Sequence, residues 1–154
     1  MKLVSRKGCG LVVLAVLAAL AIMVAARWDL IQRVALGGLK VYETEAPPLP
    51  DDLPRPAILV FSKTNGFRDD DQIDATNASL VAMAKRKGWS IYLTENAAVF
   101  NSDQLKRFQA TVWNSVSGDV FTKQQRADFK AWLEQGGGFV ALHGAGGDVK
   151  YDWR

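Results

Sequence analysis

The chain has 154 residues, a net charge of +3 and a single cysteine. That length fits one domain with a short extension. One cysteine excludes a disulfide framework and a thiolate metal cluster, and because Cys9 lies in an apolar N-terminal run it also excludes a catalytic thiol in the rest of the chain. Residues 57–154 carry twelve Lys and Arg against eleven Asp and Glu, with no basic stripe, so no nucleic-acid footprint is present.

Lys2, Arg6 and Lys7 precede an uncharged run, residues 8–26, rich in Leu, Val and Ala. At a rise of about 1.5 Å per residue this run comes close to spanning a hydrocarbon core of about 30 Å. A cleavable signal peptide is the rival reading, since Val24-Ala25-Ala26 offers small residues for processing. The run exceeds a signal core of about 7–15 residues. A helical pattern also continues past it through Trp28, Leu30, Ile31, Val34 and Leu36 without a clean break. Both features favour an uncleaved single transmembrane helix, with the membrane as partner of residues 8–26. The leading cations then stay cytoplasmic and the domain faces outward, a periplasmic placement, although Arg27, Arg33 and Lys40 on the far side pull the other way. Residues 1–42 thus read as anchor and helical extension. Residues 43–56 read as a linker: all five prolines lie between Pro47 and Pro56, with Asp51 and Asp52 among them. Such a run is semi-rigid and extended, suited to holding a domain off a membrane surface.

From Ala57 strands and helices alternate. Residues 57–61 form a continuous apolar run, as a parallel strand covered on both faces requires. A polar loop, residues 62–71, leads into a helix over residues 72–87 with Ile73, Leu80, Met83 and Ala84 inward. Aspartates precede that helix, Lys85, Arg86 and Lys87 end it, and Gly88 stops it. Residues 90–93 make a second strand. Asn101 with Gln104 caps a short helix, and residues 111–113 are a third strand. Thr122 with Gln125 opens a helix that packs through Phe129, Trp132 and Leu133 and stops at Gly136. Residues 139–142 are a fourth strand. The order predicts an α/β fold with a doubly wound parallel sheet and helices on both faces.

Ligands of open α/β sheets bind at the carboxyl edge of the strands. That edge gathers the loop after the first strand, Glu95 and Asn96, Asn114 and Ser115, and His143, the only histidine. His143 stands at a strand-to-turn junction flanked by Leu142 and Gly144, where it either caps the strand or serves as acid, base or metal ligand. Asp69, Asp70 and Asp71 either cap the following helix or supply a carboxylate partner. Lys63, Asn65, Gly66 and Arg68 are candidates for holding a polyhydroxy or anionic ligand, with solvated loop and turn roles as the alternative. Gly144-Ala145-Gly146-Gly147 lacks the spacing of a dinucleotide-binding loop.

Phe61-Ser62-Lys63-Thr64-Asn65-Gly66-Phe67-Arg68 resembles the opening motif of the ThuA-like (trehalose utilisation) family. The stretch Gly136-Gly137-Gly138-Phe139-Val140-Ala141-Leu142-His143-Gly144-Ala145, followed by Tyr151-Asp152-Trp153, resembles its central motif. The resemblance runs from about residue 57 to the end. It implies a flavodoxin-like, class I glutamine amidotransferase-like fold and a link to trehalose or related disaccharides. It also implies His143 and Asp69 as catalytic candidates, with a divalent metal as a candidate cofactor between them. Lys63, Asn65, Gly66, Arg68, Asn114, Gly144, Asp152 and Trp153 are the implied ligand-binding candidates. Where relatives carry His after Gly-Phe-Arg, this chain carries Asp69, a carboxylate of very different pKa. Relatives also continue past the Tyr-Asp-Trp motif, so residues 57–154 read as a domain incomplete at its C-terminus. Glutamine amidotransfer is excluded, because its thiol position is His143. The expectation is a membrane-anchored protein acting on a sugar, with His143 and Asp69 facing one cleft. The alternatives are a non-catalytic sugar-binding module and an inactive truncated fragment.

Overall fold

The computed structural model describes residues 6–145. Four strands, β1 (Ala57–Phe61), β2 (Ser90–Thr94), β3 (Ala110–Asn114) and β4 (Gly138–Leu142), form one sheet in the order β2-β1-β3-β4. All neighbours pair in parallel, with Leu59 opposite both Tyr92 and Thr111, and Val112 opposite Val140. This is the strand order and doubly wound topology of a flavodoxin-like sheet. β1 and β3 occupy the interior and are the most buried strands: β1 is an unbroken apolar run, and β3 carries the buried polar residues Thr111 and Asn114 among its apolar ones.

Helix α3 (Asp70–Lys87) covers one face, where Ile73 and Ala84 are buried. The expected inner face is narrower than its periodicity suggests: Leu80 is half-buried and Met83 is exposed, because those positions lie at the helix margin. A single 3₁₀ turn (Ala97–Val99), the short α4 (Ser102–Leu105) and α5 (Lys123–Glu134) cover the other face. There Phe61, Phe100, Trp113, Phe121 and Phe129 make one aromatic core with ring centroids 4.7–6.4 Å apart. Each such ring contributes about 1.5–3 kcal/mol of burial. Thr122 and Gln125 form the expected reciprocal cap of α5. At α4 only half of the motif forms: Asn101 accepts from Gln104 N, while its own N–H bonds the Val99 carbonyl. Among the described residues β4 is an edge strand, and Phe139 and Val140 on it are exposed.

N-terminal to the domain, α1 (Arg6–Ala26) and α2 (Trp28–Val34) do not run on as one rod. They meet at Arg27 with a bend of 64° between Gly10–Ala26 and Trp28–Val34. Among the described residues, no single helix is long and apolar enough to cross a membrane; the bent pair meets that test only together. The apolar side chains of α1 from Leu11 to Val24 are 46–69 % exposed on every side.

Residues 43–56 form neither helix nor strand, as their prolines require, but they do not stand clear of the domain as a free spacer would. Proline lacks an N–H, so the segment cannot join a ladder, and its carbonyls are left as acceptors for long side chains. Gln125 Nε2 donates to the Glu43 carbonyl (2.7 Å), Gln104 Nε2 to Pro47 (2.7 Å), Arg107 Nη2 to Pro50 (2.6 Å) and Tyr92 OH to Pro48 (3.3 Å). Leu49 and Leu53 pack against the core. The segment is a docked strap.

Candidate functional site at the carboxyl edge of the sheet

Two loops leave the carboxyl ends of the adjacent strands β1 and β3 and stay paired beyond them. Asn65 N and Gly66 N both donate to the Ser117 carbonyl (2.8 and 3.0 Å), and Gly118 lies against Gly66. Gly118 has φ +75, and a Cβ there would sit 2.5 Å from Gly66 N, so this approach demands glycine.

The loop after β1 buries most of its polar residues. Lys63, Thr64 and Asn65 are all buried, and each is held from the N-terminal side. The Glu43 carboxylate accepts from Lys63 Nζ and from Ala97 N (3.1 Å). Asn65 Nδ2 donates to the carbonyls of Val41 (3.0 Å) and Asp119, and Arg33 Nη1 donates to the carbonyls of Thr64 (2.6 Å) and Gly66 (3.3 Å). Arg33, Leu39, Val41 and Glu43 line one side of an open cleft of about 390 Å³, with Lys63, Thr64, Asn65, Arg68 and Glu95 on the other. Arg68 makes a two-pronged pair with Glu95 (2.9 and 3.0 Å) and a further bond to Asp70 (2.6 Å). The Glu95 hydrogen bonds outweigh partial desolvation and hold the guanidinium above its ordinary pKa, always charged. The cations expected to meet a ligand are thus matched by internal carboxylates. Neither Glu43 nor Arg33 was legible as a site residue, since both precede the stretch that carries the motifs.

The second cluster is at the ends of β3 and β4. Ser115 and His143 are the only non-glycine residues with positive φ among the described residues, at 58° and 44°. Left-handed backbone at a non-glycine residue is strained and concentrates at functional sites. Ser115 Oγ lies 3.2 Å from His143 Nδ1. From there a chain of polar contacts crosses the sheet edge: Ser115 Oγ to Asn114 Oδ1 (3.4 Å), Asn114 Nδ2 to Asn77 Oδ1 (3.0 Å) and to the Ile73 carbonyl (3.1 Å), and Ser62 Oγ to Asn77 Oδ1 (3.5 Å). Asn114 is completely buried, whereas His143 and Gly144 are exposed.

Asp69 is not part of this cluster. It is the N-cap of α3, where its carboxylate accepts from Gln72 N at 3.1 Å. β3 lies between β1 and β4, the strands that Asp69 and His143 follow. No group of three or more His, Cys, Asp or Glu with metal-holding geometry occurs among the described residues. Asp152 and Trp153 lie outside the described residues, as does Tyr151.

Comparison with known proteins agrees with the motifs. The family model for ThuA, trehalose utilisation, matches residues 57–154. A solved structure of a ThuA-like protein from Bacteroides uniformis ATCC 8492 superposes with a TM-score of 0.52 at 20 % identity, over 66 % of this chain. At that identity the likeness speaks to the fold, and the chain spans 41 % of that protein's length. No curated protein matches the chain. With the family model covering nearly two thirds of the sequence and a flavodoxin-like sheet beneath it, the chain belongs to the ThuA trehalose-utilisation family.

Proposed function

We propose that this domain binds a sugar, trehalose or a related disaccharide, at the carboxyl edge of its sheet, with His143 as the group that moves a proton or holds a metal ion there. The observation that carries this reading is the pair of strained, hydrogen-bonded residues Ser115 and His143 at neighbouring strand ends. Asn114, buried beneath the histidine, supports Ser115 from below, Gly144 beside the histidine gives the ligand a backbone surface, and Lys63, Asn65, Gly66 and Arg68 belong to the adjoining loop. The apolar α1, exposed on every side, supports attachment to a membrane, with the domain outward by the positive-inside rule. Titrating the full chain in detergent with trehalose and its keto derivatives, followed by the His143 NMR signals, tests the reading. Saturable perturbation of the His143 signals is expected, together with amide-signal shifts at the sheet edge that His143→Ala abolishes; absence of saturation with every disaccharide overturns it.

A non-catalytic sugar-binding module is the second reading. It is favoured by Asp69, whose role as helix cap leaves His143 without a carboxylate hydrogen-bond partner among the described residues. Turnover assays on the same samples separate the two: binding without product supports the module.

A further inference from the structure

We infer that Asn114 and Ser115 are positioning residues that hold neutral His143 as the Nδ1–H tautomer, so that Nε2 presents its lone pair at the sheet edge as the proton acceptor. The direction of every bond in the chain follows from a single fixed point. The Ile73 backbone carbonyl can only accept, so the Asn114 group 3.1 Å from it is the amide nitrogen. Asn114 Nδ2 also donates to Asn77 Oδ1 at 3.0 Å, which occupies both of its protons. Asn114 Oδ1 therefore faces Ser115, and among the described residues Ser115 Oγ is the donor that reaches it.

Asn114 is fully buried. If the serine proton turned to the histidine instead, Asn114 Oδ1 would be left dry and unpaired, which carries a full desolvation penalty. With its one proton directed to Asn114, Ser115 Oγ can only accept from its other neighbour, His143 Nδ1 at 3.2 Å. The imidazole nitrogen bonded there must carry the hydrogen, and the other must not. A free neutral imidazole prefers the opposite tautomer, so a buried backbone carbonyl on α3 sets the chemistry of an exposed ring on the far side of β3. This deepens the proposed sugar reading, because it makes His143 a base or metal ligand through Nε2 and not a hydrogen-bond donor through it.

Having one histidine makes the test a single-site measurement. The uniformly ¹⁵N-labelled full chain in detergent micelles, under mildly alkaline conditions that keep the ring neutral, is examined by long-range ¹H–¹⁵N correlation. The expected result is a protonated Nδ1 and an Nε2 resonance at the unprotonated position; a protonated Nε2 in the wild type overturns the inference. Ser115→Gly removes the hydroxyl where φ is +58° and so suits the backbone. In that variant the equilibrium is expected to move toward Nε2–H. An unchanged tautomer ratio in the folded variant also overturns the inference. A wild-type Nδ1–H ring that shows no response to any disaccharide would sink the sugar reading alone.

Discussion

The Lys63 ammonium and the Glu43 carboxylate form an ion pair whose lysine side chain is only 6 % exposed. Glu43 lies in the strap, and the same carboxylate caps the 3₁₀ turn through Ala97 N. Removing one partner of a buried pair leaves the other charged and dry, at about 3–5 kcal/mol for full burial. Glu43 is 27 % exposed, so water reaches the pair, and Glu43→Ala is expected to cost nearer ~2 kcal/mol. The urea midpoint of the full chain measures it. The double variant Glu43→Gln, Lys63→Met should recover most of the loss, since no unpaired charge remains. A Glu43→Ala midpoint equal to wild type would show the strap to be undocked in solution.

Thr111 on β3 is completely buried, and its hydroxyl has no hydrogen-bond partner among the described residues. Valine has nearly the same shape without the unsatisfied oxygen. Thr111→Val is therefore expected to stabilise the fold by about 1 kcal/mol, the lower end of the penalty for an unpaired buried hydroxyl. Thermal or urea unfolding decides the sign, and a destabilised variant would mean that the hydroxyl is satisfied.

Much of the domain could be read from local chemistry. Continuous apolar runs mark β1 and β4, and Thr122 with Gln125 marks the start of α5 because a reciprocal cap needs two residues at fixed spacing. Longer-range relationships left no such trace. The docking of residues 43–56 depends on proline-segment carbonyls meeting Gln104, Arg107 and Gln125, and acceptor carbonyls have no sequence pattern. Lateral strand order is equally silent in periodicity: nothing local in residues 111–113 says that β3 lies between β1 and β4. Ser115 was visible only as a polar residue closing a buried strand. Its contact with His143 required the register that sets Asn114 opposite Leu142.

The exposed apolar surface of α1 makes a prediction about solubility. Leu11, Leu14, Leu17 and Ile22 are each 57–69 % exposed, an apolar surface of the kind that marks a membrane or protein contact. The full chain is expected to sediment with membranes and to resist alkaline carbonate extraction. Release by carbonate would place the bent pair α1–α2 at the interface and not across the bilayer. Recovery of a soluble form beginning near Arg27 would identify the run as a cleaved signal.

Asp69 separates a capping role from a catalytic one. As the N-cap of α3, its side chain satisfies Gln72 N, and other side chains that accept in the same way should substitute for it. Asp69→Ala is expected to lower stability by about 1 kcal/mol, while Asp69→Asn or Asp69→Ser should lose only a few tenths. Because the Asp69 carboxylate takes no part in the hydrogen bonds that reach His143, Asp69→Asn and Asp69→Ser should leave the His143 ring resonances and sugar binding unaltered. A catalytic or metal-sharing carboxylate would behave in the opposite way. Asp69→Asn would then keep the fold's stability yet shift the His143 titration and reduce turnover. Urea unfolding and histidine NMR on the same three variants therefore decide which role Asp69 has. Loss of stability confined to the alanine variant, with His143 unmoved, is the expected outcome.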